Sequence, residues 1–245
     1  MQTSQPIIAR APQAPAQQPP PPRAKPAPER PPEVPPEFKA EPLLGSPPAR
    51  LIEILKDPQA TVFQKAKACQ RLAVIAGKDA VPALAALLGD PQLAHYARFG
   101  LEPIPDPSAD DALREALKKL KGNLLVGVIN SLGQRRDHKA VDALTKLLDS
   151  TDPAVAQAAA AALGRISGLR AAKILEDALR RTKPPVRTAV AAAGLVCAEG
   201  LIAEGRRDRA LALYQSLMRP NIPQPVRLAA MHSAFAAETS LRRPR

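Results

Sequence analysis

Apolar residues recur along the chain from residue 51 onward with a period of 31 residues. The repeating position, here termed the anchor, is occupied in turn by Val62, Leu93, Leu124, Val155 and Val186. A sixth anchor, Val226, comes 40 residues after Val186, so nine residues are inserted before it. Small or apolar residues stand four and seven positions after each anchor, and this spacing lies on one face of an α-helix. The period therefore predicts six equivalent helices, each closely approached by a neighbour near its small +7 residue.

A second amphipathic helix is predicted before each anchor, because two leucines stand four residues apart there. The leucine pairs are Leu51/Leu55, Leu84/Leu88, Leu113/Leu117, Leu144/Leu148, Leu175/Leu179 and Leu213/Leu217. Two helices per unit, repeated, are typical of an α-solenoid, in which each hairpin buries the apolar face of its neighbour. The sequence thus predicts an all-α solenoid of about six helical hairpins over residues 49–245.

Short polar joints separate the two helices of a unit. Asp57-Pro58, Asp90-Pro91 and Asp152-Pro153 each place a carboxylate before a proline. An aspartate at the N-cap accepts hydrogen bonds from the first free amides, and proline suits the first helical turn. We therefore expect these three aspartates to cap the second helices of their units.

The N-terminal segment has a different composition. Sixteen of the 29 prolines fall within residues 1–50. Proline fixes φ and removes the backbone donor, so neither helix nor sheet is expected there. Residues 1–48 are predicted to be a disordered, extended proline-rich tail that acts as a spacer, or alternatively as a ligand for an aromatic groove.

The repeat units resemble a known family. The stretches Asp152 to Ile166 and Leu124 to Gly133 are similar to bacterial HEAT repeats of the short, phycobilisome-lyase-related type. Ala97 to Pro107, followed by Asp111 to Asp137, resembles HEAT proteins that environmental bacteria export. The resemblance covers about residues 51–206 and implies a HEAT-like solenoid. The last hairpin, about residues 207–245, looks more like a tetratricopeptide helix pair.

The chain offers few groups for catalysis. His95, His138 and His232 occupy unrelated positions of the repeat, so they are not expected to converge as metal ligands. Gly-rich phosphate loops, Ser-His-Asp sets and closely spaced cysteine pairs are absent from the sequence. Cys69 and Cys197 lie far apart on apolar helical stripes and are predicted to be buried structural thiols. A non-enzymatic protein with no metal and no cofactor is the resulting expectation.

Positive charge is concentrated in the last third of the chain. The formal net charge is +12, and residues 165–245 hold fifteen basic and six acidic residues. This asymmetry favours an anionic partner, although a merely solvated basic surface has the same composition. The predicted function is a protein-binding scaffold whose partner has an acidic surface. Binding of nucleic acid or another polyanion by the basic C-terminal repeats is the alternative.

Six arginines are the candidate partner-binding residues: Arg165, Arg187, Arg206, Arg207, Arg209 and Arg227. Arg187 and Arg227 directly follow their anchors, where earlier units carry apolar residues such as Phe63. In HEAT solenoids the second helix of each pair lines the concave face. The resemblance therefore implies that these two arginines border a binding groove.

The sequence leaves two possibilities open for the cellular location of the protein. No apolar run reaches the length of about 18 residues that spans a membrane. Met1 to Arg10 has neither a basic cluster followed by an apolar core nor a small-residue cleavage site. Either the protein is cytosolic, or this chain lacks an export signal that the natural product carries. In the latter case the resemblance implies a second alternative function, as the accessory module of an exported redox or lyase system.

Overall fold

A computed structural model of the protein describes Leu43 and residues 45–239, and all regular structure in this part is helical. Most of the predicted proline-rich tail, residues 1–48, lies outside the described residues. Helix α1, Pro48–Lys56, begins one residue before the start of the solenoid predicted at residue 49.

Twelve α-helices follow one another through the described residues. They are α1 Pro48–Lys56, α2 Val62–Ile75, α3 Val81–Ala85, α4 Ala94–Leu101, α5 Pro107–Lys119, α6 Gly122–Gln134, α7 Val141–Leu147, α8 Pro153–Ile166, α9 Gly168–Arg181, α10 Val186–Ala203, α11 Arg207–Leu217 and α12 Gln224–Thr239. Two 3₁₀ turns, Lys78–Ala80 and His138–Ala140, lead directly into α3 and α7. Successive helices form six hairpins, each with a first and a second helix.

The hairpins stack in chain order, which confirms the predicted α-solenoid. Each second helix packs against the next one, from α2 through α4, α6, α8 and α10 to α12. First helices lie on the other side of this layer, and each packs against the second helix of its own hairpin. Both leucines of all six predicted pairs are buried, so each first helix directs its leucine stripe into the continuous core.

The anchors occupy equivalent places, at or just before the first turn of the second helices. Every residue four positions after an anchor is buried, from Ala66 in the first hairpin to Ala230 in the last. Burial of the anchors differs: Leu93 and Val155 are buried, Val62 is 43% exposed, and the other three, Leu124, Val186 and Val226, are half-buried. Val62 begins the second helix of the first described hairpin, where no earlier described hairpin covers it. The 31-residue period therefore predicted the register of the core but not the burial of its first anchor.

The helix caps agree with the sequence in part. Asp152 is the N-cap of α8, and its carboxylate accepts a hydrogen bond from the Ala154 amide at 2.9 Å. The predicted cap at Asp57 was wrong, because α2 starts later and Thr61 caps it with a reciprocal bond to Gln64. Asp90 accepts hydrogen bonds from two amides of the turn that leads into α4, rather than from amides of the helix itself.

Small residues let the second helices of the third, fourth and fifth hairpins approach closely. A Cβ added to Gly133 would lie 2.8 Å from the Cα of Ala162 on the next second helix. A Cβ added to Gly164 would lie 2.6 Å from the carbonyl oxygen of Ala193. Real side-chain atoms do not approach backbone atoms this closely, so the packing of α6, α8 and α10 requires glycine at both positions.

Helix α10 is long and apolar enough, by length and composition alone, to cross a membrane. It packs against α8, α9, α11 and α12. Val190, Ala191 and Leu201 are buried in these contacts. Part of its apolar surface is therefore buried within the stack of hairpins, whereas Val196 and Ile202 are exposed.

Both cysteines are free and buried in the core, as predicted. Burial raises the pKa of the Cys69 thiol to about 12 and that of the Cys197 thiol to about 11. Since the thiolate is the reactive form, neither cysteine is expected to react with Ellman's reagent at pH 8 in the folded protein. Both should react once guanidinium chloride has unfolded the chain. Rapid labelling of either thiol under native conditions would contradict this packing.

Candidate binding groove

A groove of about 550 Å³ lies across three consecutive second helices, α6, α8 and α10. We call it the alanine groove and define it by the residues that form its floor and walls, principally Asn130, Gln157, Ala158, Ala161, Ala192 and Val196. Most of its lining is apolar, and Arg165 stands at its edge.

The groove follows from the register of the repeat. In the second to sixth hairpins the sixth and tenth positions after the anchor lie on the exposed side of the second-helix layer, whereas Ala68 and Leu72 of the first hairpin are buried. In the third to fifth hairpins the sixth position is occupied by Asn130, Ala161 and Ala192. Because two of these side chains end at Cβ, they leave a depression between the longer side chains on either side. The close helix packing at Gly133 and Gly164 keeps this depression continuous from α6 to α10.

Arg165 occupies the tenth position of the fourth hairpin and connects the alanine groove with a more polar depression of about 360 Å³. This basic end is also lined by Gln134, Arg136 and Glu199. Arg165 is exposed and forms no hydrogen bond or ion pair with any described residue. A guanidinium at the end of an apolar groove can bind a carboxylate through two parallel hydrogen bonds.

Arg187 and Arg227 have a different role from Arg165. The Nε of Arg187 donates a hydrogen bond to the Thr182 carbonyl at 2.6 Å, at the end of α9. The Nη1 of Arg227 donates to the carbonyls of Pro220 and Ile222, both at 3.1 Å, in the loop that follows α11. Each arginine therefore ties the second helix of its hairpin to the loop that precedes it. Neither lines the alanine groove.

The other three predicted arginines lie near the start of α11. Arg206 is exposed at the N-cap, and Arg207 is half-buried as the first residue of the helix. Arg209 forms an ion pair with Glu176 of α9, with a nitrogen–oxygen distance of 3.1 Å. None of the three lines the alanine groove or its basic end. Of the six arginines, the structure brings only Arg165 to the groove.

Several other arginines of the basic C-terminal third are paired with carboxylates. Arg170–Asp142 and Arg181–Asp149 join α9 to α7 and to the loop after α7, and Arg180–Asp177 lies within α9. These pairs are exposed, and each neutralises charge locally. The excess of positive charge in the sequence is therefore not one uninterrupted basic surface.

A third depression, of about 350 Å³, continues the same face toward the N-terminal hairpins. It is lined by Val74 of α2, by Phe99 of α4, by Pro103 in the turn after α4, and by Gln134, which also lines the basic end. Val74 is 75% exposed and Phe99 is 49% exposed. Sequence reasoning missed both residues, although Phe99 occupies the same sixth position after its anchor as Ala161. The position of Phe99 in the repeat, six residues after its anchor, could have identified it from the sequence.

A buried polar network joins the second and third hairpins beneath this face. The Arg135 side chain is only 8% exposed and binds Asp110 through Nε and Nη2, at 2.5 and 3.0 Å. Its Nη1 donates to the carbonyls of Leu101, Glu102 and Ile104 at 3.1, 2.8 and 2.6 Å. Arg135 thereby satisfies the carbonyls where α4 ends and the chain turns toward α5.

The titratable side chains of residues 45–239 do not gather into a metal site. Among them, no three His, Cys, Asp or Glu side chains are grouped closely enough to hold a metal ion. His95 and His232 are exposed on α4 and α12, and His138 lies in the 3₁₀ turn before α7. The three histidines thus stand on separate elements.

Comparisons with known proteins support the repeat assignment. The sequence model described as HEAT repeats matches residues 111–195, from α5 into α10. No curated protein matches the chain. Among solved structures, one engineered protein is similar at 19% identity and a TM-score of 0.48, covering 78% of this chain and 97% of its own. A second engineered protein is similar at 21% identity and a TM-score of 0.45, covering 78% of this chain and 57% of its own. The described hairpins form an all-α, HEAT-like solenoid, and the match to HEAT repeats takes in α6, α8 and the first half of α10.

Proposed function

We propose that the protein is a non-catalytic scaffold that binds a segment of a partner protein in the alanine groove. HEAT-like solenoids are commonly protein-interaction scaffolds, because stacked hairpins present an extended surface. The observation that carries the proposal is an apolar groove across α6, α8 and α10 that ends at Arg165, a guanidinium without a partner among the described residues. We also infer that the repeats are of the bacterial, phycobilisome-lyase-related type, and that residues 1–48 space the solenoid from its surroundings.

The dimensions of the groove indicate the kind of segment it accepts. Packed helices lie about 8–10 Å apart, so three neighbouring second helices span about 20 Å. A helical segment of about 13 residues has this length. An alanine floor gives close apolar contact but no deep pocket, so we expect small and medium aliphatic side chains to face it.

Charge determines the expected orientation of the segment. Arg165 and Arg136 outnumber Glu199 at the basic end, so an Asp or Glu side chain of the partner is expected there. The residues that line the groove and its basic end include no aromatic ring on which a base could stack. Binding of a polyanion in the groove would therefore contradict the proposal.

The test is selection of peptides from a random library displayed on phage, using the full chain as bait. We expect enrichment of peptides that combine an aliphatic helical stripe with Asp or Glu at one end. Arg165→Glu should weaken binding of a selected peptide at least tenfold, which corresponds to about 1.4 kcal/mol. Ala161→Trp, which fills the groove, should do the same. Arg170→Glu changes the net charge equally on a first helix and serves as the matched control.

Two results would contradict the proposal. One is selection of peptides that bind wild type, Arg165→Glu and Ala161→Trp equally well. The other is retention of a heparin or DNA probe that peptides do not displace, with affinity falling steeply as salt increases.

A further inference from the structure

The last helix, α12, carries an exposed apolar stripe that the groove does not use. Its buried face consists of Ala230, Ala234 and Ala237, which pack into the stack. On the opposite face stand Leu228, Met231 and Phe235, which are 49%, 53% and 69% exposed. In a solenoid such a face is normally either covered by the next hairpin or polar, and among the described residues no hairpin follows α12.

The register of the repeat shows what this stripe corresponds to. Met231 and Phe235 stand five and nine positions after their anchor. In the third and fourth hairpins the +5 residues, Ile129 and Ala160, are fully buried. The +9 residues of those hairpins are Gly133 and Gly164, which pack directly against the following second helix. The exposed stripe of α12 therefore occupies the face on which interior hairpins receive their neighbour.

The spacing along α12 is that of a helix-pairing seam. Gln224, Leu228, Met231, Phe235 and Glu238 follow one another at intervals of four, three, four and three residues. This alternation places apolar residues at successive a and d positions of a heptad, the pattern of paired helices. Glu238 is the one charged residue of the seam, although the whole chain carries a net charge of +12. Two copies can therefore approach through this face without bringing positive charges together.

We propose that α12 pairs with α12 of a second copy, in antiparallel orientation about a two-fold axis. In this arrangement Met231 of each copy packs beside Phe235 of the other, so the contact is self-complementary. It is independent of the alanine groove, which lies on α6, α8 and α10. One helix face buries less than the roughly 1,200 Å² typical of stable interfaces, so we expect a dissociation constant of about 10–100 µM.

Sedimentation velocity of the full chain over a range of concentrations tests this proposal. We expect a monomer–dimer equilibrium, and Phe235→Lys or Met231→Lys should raise its dissociation constant at least tenfold. Both side chains are more than half exposed, so these variants should keep the helical circular dichroism of the wild type. Val74→Lys introduces the same charge at another exposed apolar residue, on α2, and should leave the dissociation constant unchanged.

Three outcomes would overturn the proposal. The first is a wild-type protein that stays monomeric up to about 500 µM, well above the expected dissociation constant. The second is a dimer that Phe235→Lys does not weaken. The third is association that Val74→Lys abolishes, because this would place the contact at the third depression rather than on α12.

Discussion

Replacing Arg135 with methionine is expected to lower the free energy of unfolding by about 3–5 kcal/mol, as removal of one partner from a buried ion pair does. Asp110 would lose both of its hydrogen bonds to the guanidinium. The carbonyls of Leu101, Glu102 and Ile104 would lose their shared donor at the end of α4. Methionine retains much of the aliphatic volume of arginine, so the loss of stability measures the contribution of the polar contacts. Urea unfolding followed by circular dichroism measures the change.

The matched control is Arg170→Met, which removes an arginine from another ion pair with aspartate. Arg170 and Asp142 are 67% and 66% exposed, so their pair should contribute less than about 1 kcal/mol. Equal destabilisation by the two substitutions would show that burial of Arg135 has no special effect. It would then contradict the role assigned to this network in joining the second and third hairpins.

Gly164→Ala is expected to lower the free energy of unfolding by about 1–3 kcal/mol, because it overpacks a tight helix contact. The new methyl group would lie 2.6 Å from the Ala193 carbonyl oxygen and 3.0 Å from its Cα. Helix propensity alone predicts the opposite sign, since alanine favours a helix over glycine by about 1 kcal/mol. The sign of the change, measured by urea unfolding, therefore distinguishes steric contact from intrinsic propensity.

Gly77→Ala provides the comparison for this second prediction. A Cβ at Gly77 would meet no atom within 4 Å, and its φ of −103° is accessible to alanine. We expect no loss of stability there. If Gly164→Ala proved neutral or stabilising, α8 and α10 would be farther apart than described, and the floor of the alanine groove would be different.

The repeating core could be predicted from the sequence because stacking imposes the same burial on equivalent positions. All six leucine pairs and all six residues at +4 from the anchors are buried. The residues at which individual helices begin were less predictable. Thr61 rather than Asp57 caps α2, because a turn after α1 delays the helix until Thr61 and Gln64 can bond reciprocally. Which residue caps a helix depends on the path of the preceding loop, and the 31-residue period of the apolar positions carries no information about that path.

The candidate site was predictable only in part. Arg165 lies at the groove because its position in the repeat is on the exposed face, which the anchors define. Arg187 and Arg227 share a repeat position too, but loop carbonyls from their own hairpins accept their hydrogen bonds. Charge along the sequence does not reveal these acceptors. The depth of the groove likewise arises from small side chains on three helices together, which no single segment indicates.

The most direct measurement of the central claim is NMR of the protein labelled with ¹³C at alanine methyl groups. The titrant is the most strongly enriched acidic peptide from the phage selection. We predict the largest shift changes at Ala161, Ala189 and Ala192, whose methyl groups line the groove. Ala112 and Ala143, which lie on the first helices α5 and α7, should change little. Changes confined to Ala112 and Ala143, with the groove methyl groups unaffected, would contradict the account.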